Sequence, residues 1–247
     1  MNIGQANRLE TGSQSFNELL GGGIPIGSVT DVYGAAATGK TQFAFQDALF
    51  CSQDDMKERR KPLVVFVDCA GSFRPERIAE MAEARGLSES KSLDKISTVY
   101  VRSVAEQKEV SERILSSEKF TNCCLLIIDD VTTNFVAEFS MDSKEDENVL
   151  ISRHYELSAY ARNLAYIAQR RNIAVLLTNS IRARISEEQG ITRMQKEGET
   201  TGEIISQFCL YRLYFSKKSN VRIAKVVQPY ASKDTIQFSI ERRGIVP

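Results

Sequence analysis

The sequence predicts an α/β protein with a mostly parallel sheet flanked by helices. Short runs of β-branched and other apolar residues alternate along the chain with longer amphipathic stretches. Strands that alternate with helices of ten or more residues require crossover connections, which make neighbouring strands parallel. Two apolar runs, Leu63–Val67 and Leu125–Ile128, have no polar face and are typical of central strands that are covered on both sides.

The chain up to Asn179 supplies the alternating elements of this pattern. The predicted strands are Ser28–Tyr33, Leu63–Asp68, Ser97–Val101, Cys124–Asp129 and Ala174–Thr178. The predicted helices are Lys40–Cys51, Arg74–Arg85, Ala105–Ser116 and a long one from about Val149 to Arg171.

The pattern changes after Asn179. The polar stretch from Arg182 to Gly202 has no apolar periodicity, and we predict a long mobile loop there. The chain then alternates apolar and polar residues at short spacing, which predicts an antiparallel meander at the sheet edge, formed by Cys209–Phe215, Val221–Val227 and Ile236–Ile240. Because no linker or repeat separates these parts, we expect residues 1–247 to form a single domain.

Composition excludes several classes of protein. The 247 residues carry 32 basic and 32 acidic side chains, whereas a sequence-independent nucleic-acid coat normally has a basic excess. No stretch reaches the roughly eighteen apolar residues of a membrane helix, so we expect no membrane partner. Five cysteines without CxxC spacing indicate buried, reduced thiols and therefore a cytoplasmic protein. The lone His154 has no Cys or His partners for a zinc site.

A phosphate-binding loop is the strongest motif in the chain. Gly34-Ala-Ala-Ala-Thr-Gly-Lys-Thr41 matches the pattern G-x-x-x-x-G-K-[ST] and lies between a predicted strand and a predicted helix, as the motif requires. In such a loop, backbone N–H groups and the helix N-terminus converge on phosphate oxygens. We therefore predict that the chain binds ATP and Mg²⁺. The predicted nucleotide ligands are Gly34, Ala37, Thr38, Gly39, Lys40, Thr41 and Gln42.

The metal should be held by one hydroxyl and one carboxylate. The Thr41 hydroxyl ends the phosphate loop, and Asp129 is the first acid after the apolar run Leu125–Ile128. A carboxylate at the carboxyl end of a buried parallel strand lies beside the phosphate loop, where it can hold Mg²⁺.

The chain as a whole resembles a known family. The segment from Thr11 to Ile24, the GKTQ run and the tail from Tyr211 to Gly244 are similar to the core ATPase of the archaeal and eukaryotic RadA-type recombinases. The most specific match is the run from Val67 to Arg77, which contains the sequence FRPER. The resemblance implies a RecA-type fold, and it implies that Arg77 stacks on the adenine.

Two departures from the family pattern concern hydrolysis. The family usually has the sequence D-T-E-G before FRPER, and its glutamate activates the attacking water, whereas Ala70 stands here. The family's γ-phosphate-sensing glutamine is replaced by Ser180. Each change should slow hydrolysis by roughly 10²–10⁴-fold. We therefore predict a weak ATPase. Other phosphate-loop ATPases place their catalytic glutamate directly after the metal acid, so Asp130 is the candidate surrogate base; the alternative is a solvated acid at the strand end, since its side chain is one methylene shorter.

The resemblance places two DNA-binding loops after the Asp129 and Asn179 strands. The first contains Met141–Glu147, which carries four acidic residues and one basic residue. The basic residues of the second are balanced by four glutamates, and no aromatic residue is available to stack on bases. We therefore expect weak binding of single-stranded DNA, through Arg153, Arg182, Arg184 and Arg193.

The beginning of the chain also departs from full-length recombinases, which carry a helical N-terminal domain and a Phe-x-x-Ala linker. About ten residues precede Thr11 and contain neither. We expect a core-only, RadB-like paralogue that assists homologous recombination and DNA repair beside a full-length RadA-type recombinase, at the nucleoid or in a nucleus. The alternatives are an active DNA-dependent ATPase that performs strand exchange itself and a KaiC-like signalling ATPase.

Overall fold

A nine-stranded sheet forms the centre of the computed structural model, which describes residues 8–53, 63–140, 147–181, 183–188, 191–196, 203–219, 221–229 and 234–247. In chain order the strands are β1 (Arg8–Leu9), β2 (Ile24–Pro25), β3 (Val29–Gly34), β4 (Leu63–Asp68), β5 (Ile96–Tyr100), β6 (Cys123–Asp129), β7 (Ala174–Ser180), β8 (Ala183–Glu188), β9 (Ile191–Lys196), β10 (Tyr211–Lys218), β11 (Val221–Gln228), β12 (Thr235–Glu241) and β13 (Gly244–Val246).

The helices are α1 (Gln14–Leu19), α2 (Lys40–Gln53), α3 (Pro75–Ala84), α4 (Glu89–Leu93), α5 (Val104–Ser116), α6 (Thr133–Ser140) and α7 (Glu147–Arg171). Helix α1 connects β1 and β2, which pair antiparallel in a separate two-stranded sheet, and the other helices lie in the crossovers between the parallel strands. Within the described ranges, no helix is long and apolar enough to cross a membrane.

The central sheet has the order β13-β12-β11-β10-β3-β7-β6-β4-β5. The pairs from β10 through β3, β7, β6 and β4 to β5 are all parallel. The strands β10, β11, β12 and β13 pair antiparallel with one another. The predicted fold class, a mostly parallel sheet with an antiparallel C-terminal meander, is confirmed.

Each face of the sheet is covered by its own hydrophobic core. In β4, Val64 and Phe66 belong to the core that includes residues of α1, α2 and α3, whereas Val65 and Val67 belong to the core that includes residues of α5, α6 and α7. This alternation follows from the two-residue period of a strand. A strand buried on both faces holds its carboxyl end in a fixed position, and β3, β6 and β7 end at the candidate site.

Most of the predicted elements match the observed ones to within a few residues. The prediction of a loop over Arg182–Gly202 was wrong for two segments, because β8 and β9 pair antiparallel as a separate two-stranded sheet. These strands are polar and of mixed charge, so they lack the apolar alternation by which strands are recognised. Residues 182, 189–190 and 197–202 lie outside the described residues.

Helix α2 is joined to both ends of the described chain by the buried side chain of Gln46. Gln46 Nε2 donates to the Thr11 carbonyl oxygen at 2.8 Å, and the Ile245 backbone N–H donates to Gln46 Oε1 at 2.8 Å. Arg85 reinforces this connection through bonds to the Gly12 carbonyl oxygen at 3.1 Å and to Gln46 Oε1 at 3.0 Å. The helix that begins with the phosphate-loop lysine is thereby attached to β13.

Candidate functional site

A cavity of about 400 Å³ lies at the carboxyl ends of the parallel strands β3, β6 and β7. Ligands of open α/β sheets bind at this edge. The meander also contributes to the cavity wall. The lining residues are Ala36, Ala37, Gly39, Lys40, Thr41, Gln42, Ala70, Ser72, Asp129, Asp130, Thr178, Ser180, Arg222 and Ile240.

The phosphate loop has the tight backbone that the motif predicts. A Cβ atom at Gly34 would lie 2.0 Å from the carbonyl oxygen of Phe215, so only glycine fits at this position. Gly39 has a φ of +108°, and Ala37 has a φ of +62°. Thr38 Oγ1 donates to the Ala35 carbonyl oxygen at 2.9 Å and closes the loop. These constraints fix the backbone path of the loop.

Lys40 is the first residue of α2 and is turned toward the loop. Its Nζ donates to the carbonyl oxygens of Gly34 at 3.0 Å and Ala35 at 2.9 Å, and only 6% of the residue is exposed. Burial lowers the pKa of Lys40, and the neighbouring carboxylates oppose that shift. A nucleotide phosphate would exchange these two carbonyl acceptors for charged oxygens.

Asp129 ends β6 and accepts hydrogen bonds from three hydroxyl groups. Thr41 Oγ1 lies 3.1 and 3.2 Å from the two carboxylate oxygens, Ser72 Oγ lies 2.5 Å from Oδ2, and Thr178 Oγ1 lies 2.5 Å from Oδ1. Asp129 is 1% exposed, and burial raises its pKa although the three hydroxyl donors oppose this shift. Carboxylate and hydroxyl oxygens suit Mg²⁺, so the residues that are present fit this metal.

Asp130 follows the metal-binding candidate and lines the same cavity. Its φ of +58° is left-handed, and its backbone N–H donates to Thr178 Oγ1 at 2.7 Å. Its Oδ1 is buried and has no hydrogen-bond partner among the residues that the structure describes. This carboxylate is thus placed in the cavity with one oxygen uncommitted, while its function as a base remains a prediction.

The two positions that depart from the RadA-type pattern also line the cavity. Ala70 is exposed in a loop that Asp68 organises by accepting bonds from the backbone N–H groups of Ala70, Ser72 and Phe73. Ser180 lies at the end of β7, and Ile181 N–H donates to the Gly34 carbonyl oxygen at 3.1 Å. Neither methyl nor short hydroxyl side chain can take a proton from water at neutral pH.

The Arg77 guanidinium is fully engaged within the described residues. Its Nε donates to Gln42 Oε1 at 2.8 Å, and its Nη atoms donate to the carbonyl oxygens of Glu241 at 2.5 Å and Arg242 at 3.1 Å. It also forms an ion pair with Glu80. Arg77 therefore connects α3, α2 and the β12–β13 turn, and its stacking on adenine remains a prediction.

The residues predicted to contact DNA have different positions. Arg153 lies in α7 with only 4% of the residue exposed, and its contact with DNA remains a prediction. Arg184 lies in β8 and Arg193 in β9, whereas Arg182 and residues 141–146 lie outside the described ranges.

Sequence reasoning missed three polar residues of the cavity: Ser72, Thr178 and Arg222. Ser72 and Thr178 act on Asp129 across 57 and 49 positions of sequence, and no local pattern indicates such pairs. Arg222 lies in β11, where its alternation with apolar residues predicts only a solvated face.

Comparison with known proteins finds one family over nearly the whole chain. Residues 4–247 match the Rad51 family model. The chain is 31% identical over 247 residues to the DNA repair and recombination protein RadA of Aeropyrum pernix. The aligned region covers 99% of this chain and 74% of the Aeropyrum protein. It is 36% identical over 175 residues to the DNA repair and recombination protein RadB of Pyrococcus furiosus. This aligned region covers 70% of the chain and 68% of the Pyrococcus protein.

A third relative extends further beyond the matched region. The chain is 29% identical over 239 residues to the DNA repair and recombination protein RadA of Cenarchaeum symbiosum. This match covers 96% of the chain but 58% of the Cenarchaeum protein. The chain thus spans less than two thirds of that relative's length.

Proposed function

This chain belongs to the Rad51 family, and from that premise we propose that it is an ATP-binding RadA-type recombinase paralogue that assists homologous recombination and DNA repair, with slow ATP hydrolysis. Relatives that are named DNA repair and recombination proteins support the process. The Rad51 family uses nucleotide and Mg²⁺, and recombinases of its type bind DNA and oligomerise.

One observation carries the proposal. The phosphate loop, Lys40, Thr41 and Asp129 line the same cavity as Ala70 and Ser180. The residues that bind phosphate and metal are thus present, whereas the position that the family uses for water activation carries a methyl group, which cannot take a proton, and the γ-phosphate-sensing position carries the shorter Ser180.

The residues of the cavity have different roles in nucleotide binding. The loop backbone and Lys40 bind and orient the phosphates, and Thr41 and Asp129 would hold Mg²⁺, which supplies charge neutralisation when bound. Ser72 and Thr178 donate hydrogen bonds to the Asp129 carboxylate and orient it. In the absence of a glutamate at position 70, the attacking water is poorly activated, and ATP acts mainly as an ordering ligand.

The alternative of an active DNA-dependent ATPase has one observation in its favour. Asp130 lines the cavity, and its buried Oδ1 has no hydrogen-bond partner among the described residues. Such an oxygen is available to accept a proton from water, as a general base must. Membership of the Rad51 family argues against a KaiC-like signalling ATPase.

We propose that the partner is a full-length RadA-type recombinase and that contact with single-stranded DNA is weak. We place this function in the cytoplasm, at the nucleoid, or in the nucleus of a eukaryotic cell. The five cysteines are free and buried, which is consistent with a reducing compartment.

The proposal is tested by measuring ATP binding, ATP turnover and the effect of the protein on a recombinase. Calorimetry with Mg²⁺ should show ATP binding, and turnover should remain far below the enzyme median of about 10 s⁻¹, with or without single-stranded DNA. Addition of the protein with ATP should change filament length or strand-exchange rate of the recombinase from the same organism. The lack of ATP binding, or strand exchange by this protein alone at recombinase rates, would contradict the proposal.

A further inference from the structure

The C-terminal meander contributes a cation to the cavity that the phosphate-loop motif does not include. Arg222 of β11 and Ile240 of β12 both line it. A Cβ atom built on Gly39 would lie 3.6 Å from Arg222 Cδ and 3.1 Å from Ile240 Cδ1. The Arg222 side chain therefore lies against the loop glycine that directly precedes Lys40.

The polar end of Arg222 has a buried donor without an acceptor. Its Nε is buried and has no hydrogen-bond partner among the described residues. Three other arginines of the same region are satisfied: Arg212 pairs with Asp31 at 3.0 Å, and Arg77 and Arg85 each donate to several acceptors. Buried polar groups are nearly always paired, so an unpaired donor on a side chain that lines a cavity indicates a missing acceptor.

The charges around the cavity indicate what this acceptor is. The charged residues among those that line it are two carboxylates, Asp129 and Asp130, and two cations, Lys40 and Arg222. The two carboxylates belong to the proposed Mg²⁺ side of the cavity, where Asp129 contacts Thr41. Lys40 already donates to two carbonyl oxygens of the loop. Arg222 is therefore the cation with donors available, and its planar guanidinium matches the geometry of a phosphate.

We propose that Arg222 binds a phosphate group of the nucleotide from within the same chain, as a second cation beside Lys40. This inference rests on the proposed function, because it assigns a further ligand to the same nucleotide. A consequence is that the meander takes part in nucleotide binding, since β11 pairs with β10, and β10 pairs with the strand that leads into the phosphate loop.

The experiment compares Arg222→Gln with a charge-matched control, Lys218→Gln. Lys218 is an exposed residue of β10 that pairs with Val221, and adjacent strand residues point to opposite faces, so Lys218 lies away from the cavity side of Arg222. Calorimetry in the presence of Mg²⁺ would measure the affinities of ATP, ADP and adenosine. Adenosine, which has no phosphate, separates a phosphate contact from a general change in the site.

Arg222→Gln should weaken ATP binding by about tenfold or more while adenosine affinity stays constant, because a charge-assisted bond to phosphate is lost. Lys218→Gln should bind all three ligands as the wild type does. An unchanged ATP affinity in Arg222→Gln, or an equal loss for ATP and adenosine, would overturn the assignment.

A thermal melt shows whether Arg222→Gln folds, and Arg222→Lys provides a second measurement if it does not. Lysine keeps the charge but loses the bidentate geometry, so we expect a several-fold loss for ATP and none for adenosine. Wild-type ATP affinity in Arg222→Lys would overturn the assignment in that case. If wild type binds ATP and the variants match it, only the Arg222 assignment fails. If wild type binds no ATP, the proposed function fails as well.

Discussion

Thr41 Oγ1 donates to both carboxylate oxygens of Asp129, at 3.1 and 3.2 Å, across 88 positions of sequence. This contact joins the end of the phosphate loop to the end of β6. It brings together the two oxygen-bearing groups that are suited to Mg²⁺, and it does so while Asp129 is almost completely buried.

Lys40→Ala should weaken ATP binding strongly, because Nζ is the only amine that lies at the phosphate loop among the described lining residues. We expect a loss of at least about tenfold in calorimetry with Mg²⁺, as for a charge-assisted contact. Lys91→Ala, in an exposed position of α4, is the control and should bind as wild type does. Equal affinities of wild type and Lys40→Ala would contradict the assignment of the loop.

Ser72→Ala should raise the Mg²⁺ concentration that ATP binding requires. Ser72 Oγ donates to Asp129 Oδ2 at 2.5 Å and orients the carboxylate, and loss of such a supporting bond typically costs about 10–100-fold in metal affinity. A Mg²⁺ titration at fixed ATP measures the shift. Ser116→Ala, at the exposed end of α5, should leave the titration curve in place. A curve for Ser72→Ala that overlays wild type would show that Ser72 does not support the metal.

Ala70→Glu should increase ATP turnover. Ala70 is exposed and lines the cavity, so a glutamate can reach water at the phosphates. General-base catalysis contributes roughly 10²–10⁴-fold, and we expect at least about a tenfold gain, with a further gain in the double variant with Ser180→Gln. Phosphate release under saturating ATP gives the rate. The matched variant Ala70→Gln has the same size without a base, and a similar gain there would reject this explanation.

Asp130→Asn should abolish most of the remaining turnover if its free carboxylate oxygen is the base. The expected fall is roughly 10²-fold or more, with little change in ATP affinity, because asparagine keeps the shape but takes up no proton. Single-turnover measurements separate this step from binding. Turnover that survives the substitution would assign the residual rate to unassisted attack by water.

Asp31→Asn should change how stability depends on pH. Burial raises the pKa of Asp31 to about 6, although the nearby Arg212 guanidinium opposes this shift. Since the folded-state pKa lies above the unfolded value of 3.8, the stabilising contribution is present at low pH and is lost as pH rises through about 6.

Between pH 4 and pH 7 this loss amounts to about 2 kcal/mol in the free energy of unfolding. Urea unfolding at both pH values should show a decline that is smaller in Asp31→Asn than in wild type by about that amount. Glu109→Gln, an exposed carboxyl of α5, should decline as wild type does. Parallel declines in all three proteins would show that Asp31 does not titrate in this range.

Local sequence patterns predicted the parts of the site that depend on neighbours in the chain. The phosphate loop and Asp129 were found because a strand, a turn and a helix follow one another within a short segment. Ser72 and Thr178 were not found, since their function arises from hydrogen bonds to a carboxylate on another strand. Arg222 was missed for the same reason, because only the meander's position beside β3 brings it to the loop.

In the fold, too, the elements that follow from local sequence were predicted and those that depend on distant contacts were not. Runs such as Leu125–Ile128 predicted buried strands because the whole run is apolar, and β6 is buried throughout. The hairpin of β8 and β9 has charged and polar residues on most positions, so its pairing is set by the backbone rather than by hydrophobic alternation. Arg153 is almost completely buried in α7, and no local sequence pattern indicates this burial.

The bond between Gln46 and Ile245 gives the protein a mechanical property. The last strand, β13, is fastened to α2, and α2 begins with Lys40, which would bind the phosphates. A force applied to β13 therefore acts on the nucleotide-binding helix through this bond, as well as on the central sheet through β12. In an optical trap, we expect bound ATP to raise the rupture force of the C-terminal strand, so that occupancy of the site can be measured by pulling on one end of the molecule.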